Sequence, residues 1–265
     1  MGCSPDPRSP VDPHLRVSVP AMGRGSIWLR AIAAIGFIVT IATVAAGCGA
    51  EADDFEPADS EPKACTESCI VAVGDSITQG IELPEQASYP AQLERITKVP
   101  VWNAGVSGNR AADVRARLPD VLDQQQPRVV VVLVGINDAG LFPPSTPLPD
   151  FTADLEAIIG AVRSVGATPV VCSLLPIEED ILMGAGLNQG NWKEYDAAVR
   201  AVASTTGVAL VDLSAASAGK TGLLRDGLHP NAAGSALIAQ AVASVLTAGE
   251  LVEPVRRDVS RGSGP

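Results

Sequence analysis

The 265-residue chain is short of basic residues, aromatics and histidine, and each shortage excludes something. Lys and Arg number 19 against 30 Asp and Glu, for a net charge of -11. A nucleic-acid partner calls for a basic stripe that neutralises phosphates, so no nucleic-acid role is expected. Aromatic residues make up 3%, too few for a stacking platform along a single strand. There are only two histidines, His14 and His229, so an imidazole-rich metal site is not expected either. What remains, 46% hydrophobic and 18% charged, is ordinary globular composition with room for one sizeable core.

The N-terminal region reads as an address. Arg24 and Arg30 precede an uncharged stretch from Ala31 to Gly47, and small residues then lead into Cys48. A basic segment, an apolar segment and a small-residue processing point are the pattern of an export signal. Ala45-Ala46-Gly47-Cys48 resembles the lipobox of bacterial lipoproteins, with Ala45 where that motif usually has Leu. The resemblance implies cleavage before Cys48, lipid on its sulfur, and a membrane partner through that anchor on the outer face of the cell membrane. An uncleaved spanning anchor is the alternative, since the stretch approaches the ~20 residues a span needs. Both readings export the rest of the chain. Met22 opens a well-formed signal, so residues 1–21 read as an extension ahead of the true start. Glu51, Asp53, Asp54, Glu56, Asp59 and Glu61 then mark an acidic tether. The expected organisation is an export signal over 1–47, a tether over 48–67, a folded domain over 68–248 and a disordered tail over 249–265. Cys65 and Cys69, at the end of the tether, either form a local disulfide that leaves Cys172 unpaired or stay two thiols.

Within the domain, β-branched runs alternate with amphipathic stretches. Ile70 to Val73, Val99 to Trp102, Arg128 to Val134, Pro169 to Leu174 and Val208 to Asp212 read as strands. The third is apolar on both faces and therefore central. Helices are expected from Pro90 to Lys98 with Ser88 as cap, and from Ala111 to Leu122, broken near Pro119. Others run from Asp150 to Val165 with Asp150 as cap, from a capping box of Asn191 and Glu194 to Gly207, and from Ala232 to Leu246. Strands alternating with helices predict a doubly wound α/β fold with a five-stranded parallel sheet.

In such sheets ligands bind beyond the carboxyl ends of the strands. Four stretches there carry polar residues: Gly74-Asp75-Ser76, Asn103 to Asn109, Gly135-Ile136-Asn137-Asp138, and Asp226-Gly227-Leu228-His229-Pro230. Each alone is ordinary turn composition. Once the export signal is removed, however, His229 is the only histidine left. Asp226 lies three residues before it, a spacing that can bring a carboxylate to the imidazole Nδ1 and leave Nε2 to take a proton from a serine hydroxyl. A structural histidine is the alternative.

Gly74-Asp75-Ser76-Ile77-Thr78, the glycine of Val106-Ser107-Gly108-Asn109, Gly135-Ile136-Asn137-Asp138 and Asp226 to Pro230 resemble, in order, the four blocks of the SGNH (GDSL) hydrolases. The resemblance spans Cys69 to Leu246 and implies a flavodoxin-like three-layer α/β/α sandwich and ester hydrolysis without a cofactor. Carried over by position, it implies Ser76 as nucleophile, His229 as base and Asp226 as its partner. It implies as oxyanion donors the Ser76 and Gly108 backbone N–H groups and the Asn137 side-chain amide. The G-x-S-x-G elbow of the α/β-hydrolases is absent. Two other classes stay open: a metal-dependent phosphohydrolase using Asp75, Asp138, Asp226 and His229, and a tethered binding protein that kept the fold without activity. For substrate, the chain is slightly more similar to lysophospholipase- and thioesterase-like acyl hydrolases than to carbohydrate O-acetyl esterases. Leu141 to Pro149 and Pro176 to Gly190 are the loops expected to shape the pocket.

Overall fold

A computed structural model of the chain describes residues 69–141, 143–186 and 190–252. The apolar stretch before Cys48, Cys48 itself, the tether and Cys65 lie outside the described residues, as does the tail beyond Val252. Among the described residues no helix is long and apolar enough to cross a membrane.

Five short strands form one all-parallel sheet: β1 Ile70–Gly74, β2 Val101–Gly105, β3 Val129–Leu133, β4 Thr168–Cys172 and β5 Ala209–Val211. Their spatial order is β2-β1-β3-β4-β5, with Ile70 paired to Val101 on one side and to Val129 on the other. β1 and β3 are buried along their whole length, which suits their unbroken apolar runs. The helices are α1 Ser76–Gln79, α2 Tyr89–Thr97, α3 Ala111–Gln125, α4 Leu148–Ser164, α5 Glu179–Gly184, α6 Trp192–Thr206, α7 Leu213–Ser217 and α8 Ala232–Ala248. α2 packs on α8, while α3 packs on α4 and α4 on α6, so two helical layers enclose the sheet. The chain winds from β1 out to β2 and then back past β1 to β3. The strand order therefore reverses between β1 and β3, the switch point where open α/β sheets place their ligands.

Boundaries differ from the sequence expectations in instructive places. β2 starts at Val101 and reaches Gly105, because Pro100 has no N–H to give the ladder and contributes only its carbonyl, to Ile70. α3 runs unbroken through Pro119, which lies on its exposed face, so the carbonyl that the missing N–H would have paired is on the solvent side. α4 begins two residues before Asp150; Pro147 is its N-cap and Asp150 falls in the first turn, where a carboxylate complements the helix dipole. Asn191 does precede α6, but its side chain makes no capping hydrogen bond. β4 stops at Cys172, and the Leu174 N–H goes instead to the Asp196 carboxylate at 2.8 Å. Leu251 and Val252, beyond α8, pack on the core. Cys69 is disulfide-bonded and Cys172 is a buried free thiol, pushed up to about 12 by desolvation.

Candidate active site

Gly74 ends β1 where nothing larger fits: a Cβ there would lie 2.2 Å from the Leu133 carbonyl oxygen and 2.3 Å from Thr78 Oγ1. Asp75 then caps α1 by accepting the Ile77 N–H at 2.9 Å, so Ser76 becomes the first residue of a helix. First-turn N–H groups have no intrahelical partner, which leaves the Ser76 amide aimed out of the turn. The Ser76 hydroxyl lies 3.0 Å from His229 Nε2.

His229 reaches it from the turn between β5 and α8. Asp226 organises that turn: one carboxylate oxygen accepts the Leu228 N–H at 3.0 Å and the His229 N–H at 2.6 Å. The other lies 2.7 Å from His229 Nδ1. Burial raises the Asp226 carboxyl, but the bonds from the His229 N–H, the His229 ring and the Leu228 N–H outweigh it and hold the group below the usual carboxylate range. Ser76, His229 and Asp226 thus form one continuous line of hydrogen bonds, 153 residues apart in sequence at its first link.

The loop after β2 and the end of β3 meet beside Ser76. Gly108 has φ +79 and nothing within 4 Å of where a Cβ would project, so its backbone is open to an incoming group. Asn137, 7% exposed, donates its side-chain amide to the Asn109 carbonyl at 3.0 Å and more weakly to Asp75 at 3.4 Å. Asp138, fully buried, accepts the Ala111 N–H at 3.0 Å and the Thr146 hydroxyl at 2.8 Å, tying α3 and the Leu141–Pro149 loop to the end of β3. Burial raises the carboxyls of Asp75 and Asp138, the first to about 7, against the hydrogen bonds that lower them. Both acids spend their oxygens on the scaffold. Among the described residues no three His, Cys, Asp or Glu side chains converge as a metal-binding group.

The sequence reading overlooked three residues that hold these loops. Gln79 accepts the Ser107 N–H at 2.8 Å and, through its backbone carbonyl, the Asn103 side-chain amide at 3.2 Å. Arg117 of α3 donates to Asn109 Oδ1 at 2.7 Å and to the Gly74 carbonyl at 3.0 Å. Arg225 forms an ion pair with Glu82, tying the His229 turn to the loop after α1. Only Arg117 left a trace in the sequence: it adjoins the buried stripe Val114, Leu118 and Leu122, where a solvated arginine is out of place.

The chain is similar to known proteins in sequence and in fold. An arylesterase of Vibrio mimicus is 34% identical over 112 residues, 40% of this chain and 54% of that protein. The thioesterase 1/protease 1/lysophospholipase L1 of Escherichia coli K12 is 32% identical over 116 residues, 42% of this chain and 53% of that one. The chain thus spans about half the length of the curated relatives it matches. The crystal structure of a lipase/acylhydrolase from Enterococcus faecalis superposes with a TM-score of 0.61 at 23% identity, over 70% of this chain and 98% of that one, a likeness of fold. Residues 72–237, which hold all the blocks from the end of β1 into α8, match the GDSL-like lipase/acylhydrolase family, and the chain belongs to that family.

Proposed function

We propose that this protein is an exported serine hydrolase of carboxylic esters. The observation that carries the reading is the line Ser76 Oγ, His229 Nε2, His229 Nδ1, Asp226, with spacings of 3.0 and 2.7 Å. In this mechanism His229 takes the Ser76 proton as the hydroxyl oxygen attacks the ester carbonyl. Asp226 fixes the imidazole tautomer and stabilises the imidazolium that forms. The tetrahedral oxyanion is held by the Ser76 and Gly108 N–H groups and the Asn137 amide, each worth about 3 kcal/mol to the transition state. His229 then protonates the leaving alcohol or thiol, and water, deprotonated by the same imidazole, releases the acid.

For the acyl part we favour a chain longer than acetyl, in the manner of a lysophospholipase or thioesterase. α5 lies against the His229 turn: Glu178 N–H donates to the Gly227 carbonyl at 2.8 Å and Ile181 packs on Gly227. Ile181 and Met183 on that helix are half exposed, an apolar surface beside the general base that suits an acyl chain. The clefts formed by Leu175, Ile177 and Leu224 and by Gly190, Asn191 and Trp192 include neither Ser76 nor Asn137. Export and lipidation at Cys48 belong to the same proposal and rest on the sequence pattern before the domain.

The test is hydrolysis of p-nitrophenyl esters from acetate to palmitate by wild type and Ser76→Ala. The expected result is activity rising beyond acetate and falling to background in Ser76→Ala, which still folds. Equal rates for the two proteins remove the serine mechanism, and activity confined to acetate turns the substrate reading to an O-acetyl esterase. Cys48→Ser that still incorporates labelled palmitate overturns the anchor.

A further inference from the structure

The Gly74 carbonyl, two residues before Ser76, accepts two hydrogen bonds: one from the Val106 N–H at 3.0 Å and one from Arg117 Nη2 at 3.0 Å. The same guanidinium donates through Nε to Asn109 Oδ1 at 2.7 Å. Asn109 in turn follows Gly108 and offers its backbone carbonyl to the Asn137 amide at 3.0 Å. A single rigid fork therefore ties together the end of β1, the loop that carries Gly108, and the residue that orients Asn137.

The cost of this arrangement indicates that geometry is its purpose. Arg117 is half-buried, and no carboxylate stands within ion-pair distance of it among the described residues. Its two hydrogen bonds go to neutral oxygens of the site, and burial of the guanidinium outweighs the attraction of Asp113 and lowers its pKa. A half-buried cation that spends its donors on neutral acceptors stabilises the fold poorly compared with an apolar side chain of the same volume. Val114 and Leu118, its neighbours on α3, bury apolar side chains in the ordinary way. A planar fork with donors in fixed directions does what a leucine cannot: it sets the separation between two loops.

We propose that Arg117 is the positioning residue of the oxyanion hole, holding the Ser76, Gly108 and Asn137 donors at their mutual spacing through Gly74 and Asn109. This rests on the serine-hydrolase reading above for its catalytic consequence, and on the hydrogen bonds alone for the clamp. Misplacing a donor by a fraction of an ångström weakens the transition state more than the ground state, so Arg117 acts on kcat rather than KM.

The experiment pairs two measurements on wild type, Arg117→Met and Arg117→Lys: amide hydrogen exchange over residues 103–110, and kcat and KM on p-nitrophenyl butyrate. Arg117→Met is expected to speed exchange in the loop and lower kcat about 10- to 100-fold, with KM within about twofold. Arg117→Lys keeps the charge but not the fork, and is expected to recover only part of the loss; it also serves if the methionine variant does not fold. The loss should not add to that of Asn137→Ala, because Arg117 acts through the same donor set. Wild-type exchange in a folded Arg117→Met overturns the clamp, and a loosened loop with unchanged kcat overturns its role at the oxyanion. A loosened loop in a protein that hydrolyses no ester even as wild type upholds the clamp and removes the functional reading instead.

Discussion

Asp75, Ser76, Asn137 and Asp138 stand at the ends of β1 and β3 with exposures of 1, 5, 7 and 0%, whereas the Asp226 side chain on the other side of Ser76 is 46% exposed. The first group is placed by the sheet. Its hydrogen bonds join segments far apart in sequence, such as Asn137 to Asn109 and Asp138 to Ala111. The second is placed mainly by the turn's own bonds: Asp226 bonds Leu228 and His229 within three residues and an antiparallel bridge joins Leu224 to Pro230, while the Arg225–Glu82 ion pair and the Glu178 N–H on the Gly227 carbonyl anchor it outward. The difference teaches that the two halves fail in different ways. Damage to the buried half should be felt in stability and turnover together, and damage to the turn in turnover alone.

The largest expected effect tests the turn. In Asp226→Asn the retained carbonyl oxygen still accepts the Leu228 and His229 N–H groups, which directs the new amide nitrogen at Nδ1. The imidazole must then accept at Nδ1 and carry its proton on Nε2, where it cannot receive the Ser76 proton. We expect kcat to fall on the order of 10³–10⁴ with an unchanged melting temperature. Asp226→Ala, which leaves the ring free to choose its tautomer, should lose less. A fall of several degrees in melting temperature with near-normal kcat would show that the turn is structural rather than self-contained.

Asn137→Ala comes next and tests the buried half. Its amide donates to Asn109 in the resting site and, in the proposed reaction, to the developing oxyanion. The expected loss is roughly 10²–10³ in kcat with little change in KM. Because the Asn109 carbonyl also loses its partner, about 1 kcal/mol of stability should go with it. Wild-type kcat in a stable Asn137→Ala protein would leave the oxyanion to the two backbone donors.

How much of this was legible in the sequence follows the same division. Strand β3 is recognisable because Val129 to Leu133 is apolar on both faces, and only a central parallel strand buries both. The partners Asp226 and His229 are legible because three residues separate them, a local relation. Gln79 is not, since Ser107 lies 28 residues away and becomes its neighbour only when β1 and β2 assemble; Arg117 left only the trace of its place beside a buried stripe, because the Gly74 carbonyl it binds lies 43 residues away. The short helices α1, α5 and α7 also escaped the reading. Four to six residues are too few to show a 3.6-residue period, and their formation depends on caps such as Asp75 and Asp212. Pro119 misled for the opposite reason: propensity argued for a break, and packing of Leu118 and Leu122 on the core overrode it.

The smallest expected effect sharpens the comparison on stability alone. Asp75 is the buried carboxyl next to Ser76, and desolvation, reinforced by Asp138 and opposed by the Ile77 N–H, raises it to about 7. Between its ordinary value near 4 and that raised value, the folded state holds a proton that the unfolded chain releases. Stability from this group is therefore complete below about pH 4 and declines as pH rises to about 7, at ~1.4 kcal/mol per unit at most. Asp226 has the opposite sign, since its lowered carboxyl costs stability only as pH falls below the ordinary carboxylate range. Between pH 4.5 and 8 Asp226 is largely ionised whether the chain is folded or not, so it does not enter the difference between wild type and an Asp75 variant. Asp75→Asn keeps an oxygen for the Ile77 N–H and carries no charge at any pH. It should match wild type near pH 4.5 and exceed it by one to a few kcal/mol at pH 8, on the order expected for removing one buried, poorly solvated charge. Part of the gain comes through Asp138, whose repulsion from Asp75 disappears in the variant. Urea unfolding at the two pH values measures the difference directly. A stability difference that does not change between pH 4.5 and 8 would mean that Asp75 is ionised throughout, and that the buried half tolerates charge as readily as the exposed turn does.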